Sequence, residues 1–71
     1  MKKTITQIVG ENIRFVRKER KLTQAQLAEI AVTSTEYISL IERGKRGGSL
    51  QLILRIALAL DIPLDHLTYI H

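Results

Sequence analysis

The 71 residues include no cysteine, which excludes disulfides and a Cys-His metal site and fits a reducing cytosol without requiring one. No apolar run approaches the ~18 residues that a membrane span needs. Met1-Lys2-Lys3-Thr4 has the charge that opens a signal peptide but not the uninterrupted apolar segment that should follow, so it reads as mature sequence. Histidine occurs only at His66 and His71, the first read as a surface residue and the second as a chain end. Without a thiol, nucleophilic catalysis would need Ser or Thr beside a base. Asp65 and His66 are neighbours in sequence, which on a helix turns them about 100° apart. Gly44 to Gly48 follows a helical pattern rather than a strand and lacks the spacing of a phosphate loop. No catalytic residue, cofactor, metal or small-molecule ligand is therefore expected. Repeats, linkers and low-complexity tracts are also missing.

What remains is one small domain. Such a chain buries only about 60% of the surface of its unfolded form, so without disulfides or metal it depends on good helix packing and self-association. The apolar content of 45% argues a folded protein. The net charge is +4, and it is unevenly placed: through Arg46 there are ten Lys/Arg against five Asp/Glu, and beyond it one Arg against two Asp. A basic half suits a polyanion, and double-stranded DNA is the simplest one.

The pattern is helical throughout. Val9, Ile13 and Val16 stand at i, i+4 and i+7 in a first helix from about Thr6 to Arg20, with Ile8 and Phe15 widening the buried stripe. Gly10 inside it costs about 1 kcal/mol relative to Ala, which close packing on a neighbouring helix would explain. Thr23-x-x-Gln26 and Thr33-x-x-Glu36 each fit a capping box, so two short helices follow with a brief break between them, the first starting at Thr23 and the second at Thr33 or Ser34. Leu27 with Ala31, and Ile38 with Ile41, give these helices faces to bury. Thr35, Glu36, Ser39, Leu40 and Arg43 form the exposed stripe of the second, which runs into Arg43-Gly44-Lys45-Arg46. Ser49 then caps a helix to about Leu60, with Leu50, Ile53, Leu54, Ala57 and Leu60 assigned to the core. Pro63 suits the first turn of a last helix, to about Ile70.

Leu22-Thr23-Gln24, Leu27-Ala28 and Tyr37-Ile38-Ser39-x-Ile41-Glu42-Arg43-Gly44 resemble the helix-turn-helix of the Cro and lambda-repressor-like (XRE-type) regulators. Ser49-Leu50, Ala57-x-x-Leu60 and Ile62-Pro63-Leu64 extend the resemblance over roughly Val9 to Leu67. It implies an all-α, compact five-helix domain over 1–71, with the motif at about 23–43 and dimerisation helices at about 49–70. It also implies a bacterial or phage transcriptional regulator, located in the cytoplasm. Repressors and restriction–modification controllers are both candidates.

Gln24, Ser34, Tyr37, Arg43, Lys45 and Arg46 are then expected on phosphates, and Thr35, Glu36, Ser39 and Leu40 on bases. For Glu36 the competing role is its capping box. Arg17 is expected to pair with Glu42, the alternative being two unconnected surface charges. Val32 stands where the family usually has Gly, so either the turn is strained or it is built differently. Surplus apolar surface at Leu52, Leu58, Leu64, Tyr69 and Ile70 suggests a symmetric homodimer on a palindromic site. The rival reading is a protein-interaction module, such as an antitoxin or assembly subunit, using the same apolar helices.

Overall fold

The computed structural model describes residues 2–69. Four α-helices follow in chain order: α1 (Ile5–Glu19), α2 (Gln24–Ala31), α3 (Thr35–Glu42) and α4 (Leu50–Leu60). A 3-10 segment, Leu64–Thr68, closes the chain. The described residues are thus all helical or irregular, but the fifth helix expected over Pro63 to Ile70 is this short turn, and Ile70 lies outside the described residues. The reason is local. Pro63 keeps an extended backbone, the His66 N–H donates to the Pro63 carbonyl at 3.1 Å, and five residues bonded at i+3 are too few to nucleate an α-helix. What holds the segment is the buried Asn12 of α1, whose Nδ2 donates to the carbonyls of Leu67 (2.9 Å) and Tyr69 (2.8 Å).

Ile13, Leu27, Ile38, Ile41, Ile56, Leu60 and Leu67 lie fully enclosed, so every helix and the 3-10 segment contribute to a single core. Three assignments from the sequence are corrected here. In α4 the inward residues are Leu52, Ile53, Ile56, Ala57 and Leu60, whereas Leu50 and Leu54 are exposed. Leu52, expected on a subunit interface, is only 4% exposed and packs in the core. The helix has apolar ridges at four-residue spacing on both sides, Leu52-Ile56-Leu60 and Leu50-Leu54-Leu58, and periodicity alone cannot rank them. Phe15, expected in the buried stripe of α1, is 55% exposed and edges a groove with Val16, His66 and Tyr69.

All four helices end in the same way. The chain turns left-handed at Lys21, Val32, Gly44 and Asp61, at or just after the last helical turn, and paired 6→1 and 5→2 hydrogen bonds close each end, for example Lys45 N–H to Leu40 O at 2.9 Å and Gly44 N–H to Ile41 O at 3.0 Å. Only one of the four positions is glycine. Arginines complete two of these ends: Arg20 Nε donates to Leu60 O at 2.9 Å at the end of α4, and Arg55 Nε donates to Ala31 O at 2.8 Å at the end of α2. A cation at a helix C-terminus also meets the negative end of the helix dipole.

Candidate nucleic-acid interface

The corner between α2 and α3 is set by residues 32–34. Val32 has φ 59° and ψ 59°, so of the two alternatives open from the sequence the turn is the left-handed one. Its side chain is 74% exposed and packs on little. A β-branched residue held there is strained by about 1–3 kcal/mol, while glycine would lose about 0.4–1 kcal/mol through the entropy of the unfolded chain. Val32→Gly is therefore expected to stabilise the fold by about 0.5–2 kcal/mol, seen as a higher urea midpoint at unchanged m-value. A lower midpoint would show that the turn carries no strain.

Ser34, not Thr33, caps α3: its Oγ accepts from the Tyr37 N–H at 3.0 Å. Glu36 consequently stands one position too early to close a capping box, and its exposed carboxylate is not held by one. Thr23 does close its box with Gln26, and a third box, Thr4 with Gln7, starts α1 at Ile5. That last box repeats the same sequence template and was legible in principle.

The C-terminal end of α3 is fixed against α1 by two contacts. Gly10 lies so close that a Cβ there would overlap the Ile41 carbonyl oxygen and stand 3.0 Å from that of Glu42. Beside it, Arg17 and Glu42 form a two-pronged pair, Nε to Oε2 at 2.6 Å and Nη2 to Oε1 at 3.0 Å. Both side chains are nearly buried. The pair has further partners: Arg17 Nη1 donates to Leu22 O at 2.8 Å, and Gln24 Nε2 donates to Glu42 Oε1 at 3.0 Å. One cluster thus ties α1, the start of α2 and the end of α3 together, and the angle of α3 is locked by charge-assisted hydrogen bonds.

On the outer side of α3, Thr35 and Glu36 are exposed, and Ser39 and Leu40 are half-buried. Arg43, Lys45 and Arg46 are exposed in the loop that follows, with Arg43 Nε 3.4 Å from Ser39 O. Tyr37 packs against the core with part of its ring accessible. The Ser34 hydroxyl accepts the capping bond, which leaves its hydrogen available. Gln24 has an inward role that the sequence did not signal, since one amide hydrogen is bound to Glu42. The 3-10 end and α4 are remote from this stripe in sequence, and they carry the apolar positions instead: Leu58 is 80% exposed, Tyr69 is exposed and Leu64 is half-buried. Among the described residues no cluster of His, Cys, Asp or Glu has the grouping of a metal site, and no helix is long and apolar enough to cross a membrane.

Two short helices at a fixed angle, the second with a polar outer stripe, describe many αα corners; sequence similarity decides among them. The family described as Helix-turn-helix matches residues 13–67. The chain belongs to the helix-turn-helix family. This helix-turn-helix chain is 50% identical over 57 residues to the immunity repressor protein of Bacillus phage phi105, a match that covers 80% of the chain and 40% of that repressor. It therefore spans less than half the repressor's length. It is 36% identical over 63 residues to the control protein C.SmaI of Serratia marcescens, covering 89% of the chain and 75% of that protein. Its fold superposes on the crystal structure of the restriction-modification controller protein C.AhdI from Aeromonas hydrophila with a TM-score of 0.84 at 35% identity, over 87% of the chain and 94% of C.AhdI.

Proposed function

We propose that the chain is a sequence-specific regulator of transcription that binds double-stranded DNA. The observation that carries this reading is the α3 stripe, held at a fixed angle by the Arg17–Glu42 pair and followed directly by Arg43, Lys45 and Arg46. Similarity to an immunity repressor and to controller proteins supports it. In this reading Thr35 and Ser39 donate to or accept from base edges, Glu36 accepts from a cytosine amine, and Leu40 packs on a thymine methyl. Arg43, Lys45, Arg46, Ser34, Tyr37 and the remaining amide hydrogen of Gln24 grip phosphates and supply affinity without sequence information.

The active unit in this proposal is a homodimer on a palindrome. Its support is the ridge Leu50-Leu54-Leu58, three leucines one turn apart on the outside of α4, where Leu58 keeps the role first assigned to it and Leu50 and Leu54 replace Leu52. Each leucine buried gains about 1.5–3 kcal/mol, enough over two subunits to offset the association cost. Two α3 helices must then reach major grooves about 34 Å apart, with half-sites centred about 10 base pairs apart. The same ridge is what favours the second reading, a protein-interaction module that holds a different partner.

Titration against duplex DNA at several salt concentrations separates the two. A dimer that neutralises about three to five phosphates per subunit should show log K falling against log salt with a slope of roughly −5 to −9. Arg43→Ala and Lys45→Ala should weaken all sequences alike, whereas Thr35→Ala and Ser39→Ala should chiefly reduce discrimination. Leu58→Lys should give monomers in sedimentation and weaker DNA binding. A slope near zero would overturn the DNA reading, and an unchanged dimer in Leu58→Lys would overturn the α4 interface.

A further inference from the structure

The loop after α3 does not stand alone. Gly44 lies against the first turn of α1, where a Cβ would come 2.9 Å from Gln7 Cγ and 3.3 Å from Gln7 Cα, and at Gly47 the same construction falls 3.6 Å from Thr6 Oγ1. Thr4 is pinned at the start of α1 by its capping box with Gln7. Lys2 and Lys3 immediately precede it, so they are tethered within about 7 Å of a fixed point beside Arg43, Lys45 and Arg46. The two segments that meet here are free of acid: none occurs from residue 1 to 10, nor from 43 to 55. The nearest carboxylate acting on them is Glu11, which holds Lys3 in an exposed ion pair at 2.7 Å. By contrast Arg17, Arg20 and Arg55 are bound to carbonyls or to Glu42 within the fold.

We infer that Lys2 and Lys3 form, with the 43–46 loop, one continuous phosphate-binding surface, so that the segment preceding α1 grips the DNA backbone next to the stretch read by α3. The inference rests on the DNA-binding reading above and adds to it a second chain segment, the one that precedes α1. Glu11 tempers this surface. Its pair with Lys3 is solvent-exposed and therefore weak, so a phosphate can displace the carboxylate, and the displacement lowers the net gain from Lys3.

The test measures salt slopes for the full chain and its variants on one duplex. Lys2→Ser/Lys3→Ser removes two cations per subunit and should flatten the slope of a dimer by about 3 to 4, at 0.9 per phosphate contact, with equal loss on specific and random DNA. Thermal unfolding should stay unchanged, because neither lysine packs on the core. Glu11→Gln should raise affinity about two- to fivefold, the size of an exposed pair's contribution. Asp65→Asn changes the net charge by the same amount from the 3-10 segment and should leave affinity unaltered. If the lysine variant keeps the wild-type slope while Arg43→Ala and Lys45→Ala flatten it, the segment before α1 is off the DNA and the inference fails alone. If Glu11→Gln and Asp65→Asn act equally, overall charge and not this surface is responsible. A wild type without salt dependence would overturn the DNA reading and this inference together.

Discussion

Arg17→Met is expected to lower the unfolding free energy by about 3–5 kcal/mol, a large share of what a domain of this size has. The substitution is close to isosteric along the aliphatic stem, so packing changes little. What changes is that Glu42, almost fully buried, loses two charge-assisted bonds at once and keeps only the amide of Gln24. Leu22 O loses its donor as well. Glu42→Met strands the guanidinium instead, with a comparable loss. The double variant should lose less than the sum of the two, because neither charge is then left without a partner, and a coupling of about 0.5–3 kcal/mol is the expected signature. Urea unfolding of the four proteins in the cycle checks this. Strict additivity with small single effects would mean that the pair contributes geometry without energy.

Gly10→Ala carries the next largest effect, and its sign opposes simple propensity. In an exposed helix the change would stabilise by about 1 kcal/mol. Here the methyl group would collide with backbone oxygens at Ile41 and Glu42, which have no rotamer by which to escape. The whole end of α3 must move away, and overpacking of this kind costs about 1–3 kcal/mol. That shift also pulls on the Arg17–Glu42 bonds and on the Gly44 turn. Gly10→Ala should therefore unfold at lower urea and, under the DNA-binding proposal, bind duplex less tightly even where it is fully folded. A variant more stable than the wild type would show that α1 and α3 separate without penalty.

Much of this was legible in the residues because the signals were local. Capping residues fix where α2 and α4 start, and the polar stripe Thr35-Glu36-Ser39 declares which side of α3 stays wet. Glycine at 10 and 44 marks a close approach and a left-handed turn. The sequence leaves the cap of α3 open between Thr33 and Ser34, since both offer a hydroxyl, and the turn geometry at Val32 selects the second. The inward ridge of α4 is illegible for a different reason: with leucine or isoleucine on nearly every side, burial is decided by where α2 and the 3-10 segment lie, which is long-range information. The same holds for Asn12, Arg20 and Arg55, whose partners are carbonyls far along the chain. Main-chain acceptors leave no trace in a sequence.

The cations divide by type. Those that hold the fold at buried or helix-ending positions, Arg17, Arg20 and Arg55, are all arginines, as suits a rigid fork that donates several hydrogen bonds at once. The lysines, at positions 2, 3, 18, 21 and 45, are all exposed. Acetylation, which neutralises lysine and leaves arginine untouched, would therefore reach the outer surface and spare the contacts that keep the helices in place. With all five lysines modified, a net charge of +4 becomes −1. The bundle would persist as a folded object of net negative charge, so under the DNA-binding proposal lysine chemistry switches off binding without unfolding the protein.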